Sequence, residues 1–120
     1  MRKAKLFIRV AEICHQQGYY DSAASRCYYA VYRAAIAALQ ANGYLRRSWN
    51  HGTLQKMFNE KLVEEKREYP DCFEIYLRIC YEQRVIADYR NDSVDEETSK
   101  EVLSYATEFV EKVQEVLDRG

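Results

Sequence analysis

The stretch DSAASRCYYAVYRAAIAALQANG, residues 21–43, forms a long helical pattern with three different sides. Its apolar residues recur at steps of three and four, which places them along one broad stripe that must be buried. This stripe comprises Ala24, Cys27, Tyr28, Val31, Ala35, Ala38 and Leu39. A second line of small residues lies about 100° round the helix, where another helix can approach closely. Its members are Ala23, Ala30, Ala34, Ala37 and Ala41. We therefore expect this helix to have neighbours on two sides.

The third side of the same helix is polar and aromatic. Ser22, Arg26, Tyr29 and Arg33 fall within about 60° of one another when each residue turns the helix by about 100°. Two guanidinium groups therefore flank one phenol on the side that faces neither neighbour.

The composition predicts an all-α fold in a single domain spanning residues 1–120. The chain has one proline and four glycines, and no run of alternating apolar residues indicates a strand. Short connections favour an antiparallel up-down bundle of four to five helices. The 18 basic and 19 acidic side chains nearly cancel, so the whole molecule offers no strong field for nucleic acid. Any anion site has to be local.

The apolar pattern places four further helices around the central one. They are expected at about residues 3–17, 50–68 and 71–90, and from Ser93 onwards. The first helix is predicted to bury Leu6, Phe7, Val10, Ala11, Ile13 and Cys14. An up-down order of the first four helices would make helices two and four parallel, so that their C-terminal ends meet.

Each helix also has candidate signals for its ends. Gly18 is expected to stop the first helix, and Asp21 to cap the second. Ser48 or Asn50 can cap the third. Ser93 and Glu96 read as S-x-x-E, a capping box that opens the fifth helix.

The N-terminal segment and the cysteines exclude several classes of protein. The apolar stretch in MRKAKLFIRV is short and interrupted by Arg9, so it matches neither a secretory signal nor a membrane span, and a cytoplasmic protein without membrane contact is expected. The four cysteines lie far apart in helical patterns, with no C-x-x-C pair, which predicts buried free thiols. No Cys/His metal spacing, paired metal carboxylates or Gly-rich phosphate loop is present, so neither a metal nor a cofactor is predicted.

The fourth helix carries charges where its apolar stripe should continue. The inward series Phe73, Tyr76, Leu77, Cys80, Arg84 and Ala87 includes an arginine, and Asp88 follows it by one turn. Burying an ion costs several kcal/mol unless it is paired, so Arg84 and Asp88 must meet each other, a tyrosine hydroxyl or an outside ligand. Both a structural ion pair and a binding site are consistent with this pattern. A further line of Ile75, Ile79 and Ile86 can pack on the fifth helix or on another subunit.

The candidate site follows from the expected meeting of helix ends. Arg33, His51, Arg84, Asp88 and Tyr89 would gather near the loop of residues 44–52, with Tyr29 as a further ligand-binding candidate. Such a cluster can hold a phosphate or nucleotide, with Arg84 as the clamp and tyrosines as stacking planes. It can also act as a weak acid-base site with His51.

The loop itself, YLRRSWNHG, allows two interpretations. Arg46 and Arg47 beside Trp49 can contact phosphates and bases. Alternatively, Trp49 and Leu45 plug the bundle end while the arginines stay solvated.

Four pieces in this order together resemble the HEPN superfamily, especially its small stand-alone prokaryotic members. They are GYYDSAAS, YYAVYRAA, the histidine before the third helix and RVIADYR on the fourth. The likeness covers about residues 4–117. It implies an all-α bundle, a homodimer with a functional cleft between subunits, and a partnership with a minimal nucleotidyltransferase in a toxin-antitoxin system; other members are ribonucleases.

The ribonuclease branch carries an arginine and a histidine that are separated by four to six residues. Arg84 occupies the arginine position, but Tyr89, Arg90 and Asn91 stand where the histidine belongs. Ribonuclease activity is therefore doubtful, and the candidates for catalysis are Arg84, Tyr89 and His51.

We therefore predict a dimeric HEPN-type module that binds a nucleotide or RNA phosphate beside a nucleotidyltransferase. The alternatives are a metal-independent RNA endonuclease with a degenerate motif and a non-catalytic protein-interaction bundle.

Overall fold

The computed structural model describes residues 1–120 and consists of helices without strands. The long helices are α1 (Arg2–Gln16), α2 (Tyr20–Ala41), α4 (Cys72–Tyr89) and α5 (Glu96–Arg119). A shorter α3 (His51–Met57) continues directly into a π-helix, Phe58–Glu65. The predicted all-α fold is confirmed. None of these helices is long and apolar enough to cross a lipid bilayer.

Helices α1, α2, α4 and α5 form an antiparallel up-down bundle, as predicted. The direction of α4 follows from its contacts with α2, because Ser25 meets Asp88 whereas Tyr29, further along α2, meets Arg84. Helices α2 and α4 are therefore antiparallel, and the prediction that they run parallel is wrong. Stacked pairs of α4 and α5 residues, Phe73 with Phe109 and Tyr76 with Tyr105, show that these two helices are antiparallel as well.

The connection after α2 explains this reversal. It does not turn directly into a third bundle helix; residues 42–50 run back along α2 instead. The Tyr32 hydroxyl donates a hydrogen bond to the Trp49 carbonyl at 2.7 Å, and α3 begins beside Tyr28. Helix α3 therefore starts level with the middle of α2 and runs in the same direction. As a result Arg84 lies beside the N-terminal half of α2 rather than at its C-terminal end.

Helix α2 forms the centre of the core, with the three sides that its sequence indicates. All seven residues of its apolar stripe are buried, from Ala24 to Leu39. In the alanine line Ala23, Ala30 and Ala34 are buried, so neighbouring helices do cover a second side. Ser22, Arg26 and Arg33 remain exposed on the third side.

The face that α1 buries overlaps the predicted one only at Ala11 among its fully buried residues. Its buried residues are Ala4, Ile8 and Ala11, whereas Leu6 and Ile13 are more than half exposed. These three residues are spaced four and three apart, so the buried stripe lies further round the helix than the predicted one. The predicted positions Phe7, Val10 and Cys14 are half-buried.

The helix ends match the predictions in part. Gly18 ends α1 with a positive φ of 82°, and the Asn50 side chain caps α3 by accepting from the Thr53 N–H. Asp21 is not the N-cap of α2, which begins at Tyr20; its carboxylate accepts the Val94 N–H instead. The N-cap of α5 is Asp95 rather than Ser93, because the Asp95 carboxylate accepts the Thr98 N–H at 2.7 Å.

Candidate functional site

Arg84 extends from the apolar face of α4 just beyond the bundle core. Phe73, Leu77 and Cys80 precede it on that face and are buried, which fixes the side of α4 that points towards α2. The Arg84 side chain follows on the same face and keeps 19% of its surface exposed. It therefore lies at the boundary between core and solvent.

Three tyrosine rings surround the Arg84 guanidinium. Its Cζ atom lies 5.5 Å from the ring centroid of Tyr28, 5.5 Å from that of Tyr29 and 5.0 Å from that of Tyr89. Aromatic faces attract a cation through their quadrupole, and the attraction grows when water is excluded. We call Arg84 and these three tyrosines the arginine cage. Its geometry holds a planar cation in one place.

Hydrogen bonds fix the orientation of the guanidinium inside the arginine cage. Nε donates to Asp88 Oδ2 at 3.2 Å, and Nη2 donates to the hydroxyls of Tyr29 at 3.2 Å and Tyr89 at 3.1 Å. Asp88 Oδ2 also accepts from Ser25 Oγ at 3.1 Å. Arg84 and Asp88 thus form the ion pair that one of the two sequence interpretations requires.

The Nη1 edge of Arg84 has no hydrogen-bond partner in the protein. A guanidinium carries five N–H donors, and the bonds to Asp88, Tyr29 and Tyr89 occupy only those on Nε and Nη2. Nη1 is also not sealed in the interior, since the buried side-chain atoms without a partner are Trp49 Nε1 and Tyr69 OH. Two N–H donors of Arg84 are therefore left without a protein partner.

The surroundings keep Arg84 charged. Burial works against the charged form, but the hydrogen bond to Tyr29 and the electrostatic interactions with Tyr29, Tyr89 and Asp88 outweigh it and raise the pKa of Arg84. Burial also raises the pKa of Tyr28, so its phenol stays protonated. The cage therefore presents a permanent cation.

His51 joins the edge of the arginine cage through Tyr28. Its imidazole stacks on the Tyr81 ring with centroids 3.6 Å apart and planes 7° from parallel, and its Nδ1 lies 3.4 Å from the Tyr28 hydroxyl. Burial lowers the pKa of His51, although a hydrogen bond with Gln55 acts in the opposite direction. A neutral imidazole thus lies one ring away from the guanidinium.

The structure brings together most of the residues singled out in the sequence. Tyr29, His51, Arg84, Asp88 and Tyr89 share one surface region. Arg33 does not join them: it is exposed on α2 and forms no hydrogen bond or ion pair.

The loop before α3 contributes only its last part to this region. Trp49 is buried while Arg46 and Arg47 are exposed, as the plug interpretation requires, but Leu45 is 74% exposed and plugs nothing. Arg46 instead lies over the Trp49 ring at 5.4 Å.

Sequence reasoning missed three members of this region, which are Ser25, Tyr28 and Tyr81. Tyr28 was assigned to the core, and it is indeed 4% exposed, yet one side of its ring contacts Arg84. Ser25 precedes Tyr29 by one helical turn, and this spacing could have placed it beside the charged pair. No sequence pattern indicated Tyr81, because its stacking with His51 depends on where the preceding loop places that histidine.

A cavity of about 550 Å³ lies beside the arginine cage on α4. It is lined by Tyr81, Glu82, Val85, Ile86, Arg90 and Asp92. Tyr81 is shared between this cavity and the stack with His51. The cavity therefore adjoins the candidate site.

Comparisons with known proteins agree with the resemblance found in the sequence. The family described as HEPN domain matches residues 1–116. A protein of Methanocaldococcus jannaschii that is named as a putative toxin is 31% identical over 113 residues, which cover 92% of this chain and 80% of that protein.

Proposed function

The chain belongs to the HEPN domain family, and from that membership we propose that it binds a phosphate group of a nucleotide or RNA at the arginine cage. The proposed molecule is a dimer that works in a toxin-antitoxin pair with a minimal nucleotidyltransferase. One observation carries the proposal: the Nη1 edge of Arg84 is charged, fixed in direction and without a protein partner.

The chemistry of the cage suits a phosphate oxygen. Hydrogen bonds between a guanidinium and a phosphate are charge-assisted and stronger than neutral ones. The side chain is already held by Asp88, Tyr29 and Tyr89, so a ligand does not have to order it. Asp88 offsets part of the positive charge, and this favours a ligand that adds contacts beyond a single phosphate.

Tyr89 supplies such a contact. Its ring is 68% exposed while its hydroxyl is tied to Arg84, so the plane is both accessible and fixed. Nucleobases stack on exposed aromatic rings irrespective of sequence. A nucleotide can therefore place its phosphate at Nη1 and its base against this ring.

The second half of α4 supports a dimer. From Tyr81 to Tyr89 no residue is fully buried, although Val85, Ile86 and Ala87 are apolar. A second copy that covers this segment would shield those side chains and bring two arginine cages close together. This arrangement agrees with the family's cleft between subunits.

The toxin-like role rests on the relative and on the family. The matching protein of Methanocaldococcus jannaschii is named as a putative toxin, and the present chain spans four fifths of it. We place the protein in the cytoplasm, where nucleotides and RNA are available. The nucleotidyltransferase would then act on, or compete for, the surface around Arg84.

The binding test compares wild type with Arg84→Gln, which keeps a polar side chain but removes the charge. Melting temperatures are recorded with adenosine nucleotides and with short single-stranded RNA. We expect a ligand-dependent rise for wild type and none for the variant. Arg33→Gln serves as the matched control, because Arg33 is an exposed arginine outside the cage.

Equal shifts in all three proteins would assign binding to general surface charge. No shift in wild type would leave Arg84 and Asp88 as a structural ion pair and would refute the proposed site.

A second candidate function is a metal-independent RNA endonuclease, favoured by the position of His51. Its lowered pKa keeps the imidazole neutral, as a general base requires, and only Tyr28 separates it from Arg84. Incubation of RNA with wild type, His51→Gln and Arg84→Gln distinguishes the two functions. Cleavage by wild type alone would establish the enzyme, and intact RNA in every tube would exclude it.

A further inference from the structure

Helix α1 carries an apolar seam on the side that faces away from the bundle. Leu6 is 57% exposed and Ile13 is 54% exposed, and Val10 between them is half-buried. Their spacing of four and three residues is the alternation found at positions d, a and d of a heptad. The seam is thus shaped for a second helix lying along α1.

The flank of this seam is basic. If Leu6 and Ile13 occupy d positions, the preceding g positions hold Arg2 and Arg9, and the a position before Leu6 holds Lys3. All three cations are exposed, and none takes part in the six ion pairs of the structure. The chain as a whole is nearly neutral, so this basic flank is a local feature.

The opposite flank of the seam is not available for charge pairing. The e positions hold Phe7 and Cys14, which are half-buried, and the Phe7 ring lies against Tyr29 of α2 with centroids 5.8 Å apart. A helix lying on the seam would therefore meet charge on one side only, at Arg2 and Arg9.

We infer that the outer face of α1 docks an acidic amphipathic helix of a different protein. Its apolar residues would cover Leu6, Val10 and Ile13, and its flanking carboxylates would pair with Arg2 and Arg9. This docking surface is separate from the arginine cage and does not depend on ligand binding there.

A second copy of the chain does not fit this surface through its own α1. In an antiparallel pair of α1 helices the g positions face each other, which sets arginine against arginine. In a parallel pair the g positions face e positions, and these are Phe7 and Cys14. Neither arrangement provides a carboxylate, so the partner must supply it.

The test uses a fluorescein-labelled three-heptad peptide with leucine at a and d and glutamate at e and g. Its affinity for the full-length protein is measured by fluorescence anisotropy. We expect saturable binding that weakens at least tenfold in the variant Leu6→Ser/Ile13→Ser. Ile75→Ser is the matched control, because Ile75 is also exposed but lies on α4.

A charge exchange makes the test specific. The variant Arg2→Glu/Arg9→Glu should no longer bind the glutamate peptide and should bind a peptide with lysine at e and g instead. Circular dichroism checks that each variant keeps its helices, and the nucleotide-induced melting shift should be unchanged. If wild type shows no nucleotide-induced melting shift, the proposal of phosphate binding at the arginine cage fails. The peptide measurement still tests the proposed docking of a helix on α1.

Three results would overturn the inference. They are no binding of the glutamate peptide, equal binding to wild type and Leu6→Ser/Ile13→Ser, and the lack of any exchange of preference after charge reversal. Binding of wild type to phosphatidylglycerol vesicles that these same variants lose would assign the face to a lipid surface instead.

Discussion

At the scale of single residues, Arg84 decides between a structural and a binding interpretation. A cation on an apolar face needs partners, and the sequence alone predicted that Asp88 or a tyrosine would supply them. The structure provides both, yet it leaves Nη1 without a partner. The sequence could not show this edge, because it depends on which donors the neighbouring helix occupies.

The first prediction concerns the stability of an Arg84→Met variant. Methionine fills a similar volume between the tyrosine rings, and Asp88 is left one third exposed with its bond to Ser25. We expect the free energy of unfolding in urea to change by no more than about 1 kcal/mol, because ion pairs at partly exposed positions contribute about 0–1 kcal/mol and Asp88 keeps its contacts with water and with Ser25. A loss of about 3 kcal/mol or more would show that the ion pair serves stability.

The second prediction concerns pH and His51. Burial lowers the pKa of His51 in the folded protein, so the unfolded chain takes up the proton first. Its contribution to stability is complete above about pH 6.5, the ordinary histidine value, and is lost as the pH falls towards the folded-state pKa. We expect the melting temperature to fall over this window. The fall should be smaller in His51→Gln, and equal slopes in the two proteins would contradict the assignment.

At the scale of the helices, side-chain size determined which faces meet. The periodicity of α2 identified its buried stripes because apolar residues or alanines recur along most of the length of each stripe. For α1 the same reasoning identified only Ala11 among the fully buried residues, because apolar residues cover more than half of its circumference and the buried stripe is Ala4, Ile8 and Ala11. Hydrophobicity alone does not distinguish these faces, whereas the alanine line of α2 indicated that close packing was required.

The third prediction tests this close packing with Ala34→Leu. Ala34 has no exposed surface, so a larger side chain must push a neighbouring helix away. Overpacking of this kind costs about 1–3 kcal/mol. Ala41→Leu is the matched control, because Ala41 is exposed at the end of α2 and should change the free energy of unfolding by less than about 0.5 kcal/mol. Similar losses in both variants would argue against tight packing at Ala34.

At the scale of the whole molecule, the sequence predicted the bundle but not the path of its second connection, between α2 and α3. Short connections indicated an up-down order of the first four helices, but the structure has this order in α1, α2, α4 and α5, because α3 runs in the same direction as α2. No sequence feature of residues 42–50 predicts that this segment returns along α2. It is held there by the hydrogen bond from the Tyr32 hydroxyl to the Trp49 carbonyl, and a backbone carbonyl carries no sequence signal. Because this segment returns along α2, the candidate site lies beside the N-terminal half of α2 rather than at its C-terminal end, and Arg33 is not part of the site.

The fourth prediction concerns the dimer. If a second copy covers the exposed half of α4, Val85→Asp/Ile86→Asp should be monomeric in sedimentation velocity while wild type is a dimer. Ile75→Asp, at the other end of the same helix, should remain dimeric. A monomeric wild type at tens of micromolar, or a dimer that survives the double substitution, would place the interface elsewhere or remove it.

The central claim is that the Nη1 edge of Arg84 takes a phosphate oxygen. Its most direct test is to follow the arginine side-chain ¹⁵N–¹H signals by NMR while pyrophosphate and then an adenosine nucleotide are added. Arg84→Lys identifies the relevant signal, because that signal disappears. We predict a saturable shift of the Arg84 signal while that of the exposed Arg33 stays in place. A stationary Arg84 signal, or equal shifts at all arginines, would contradict the claim.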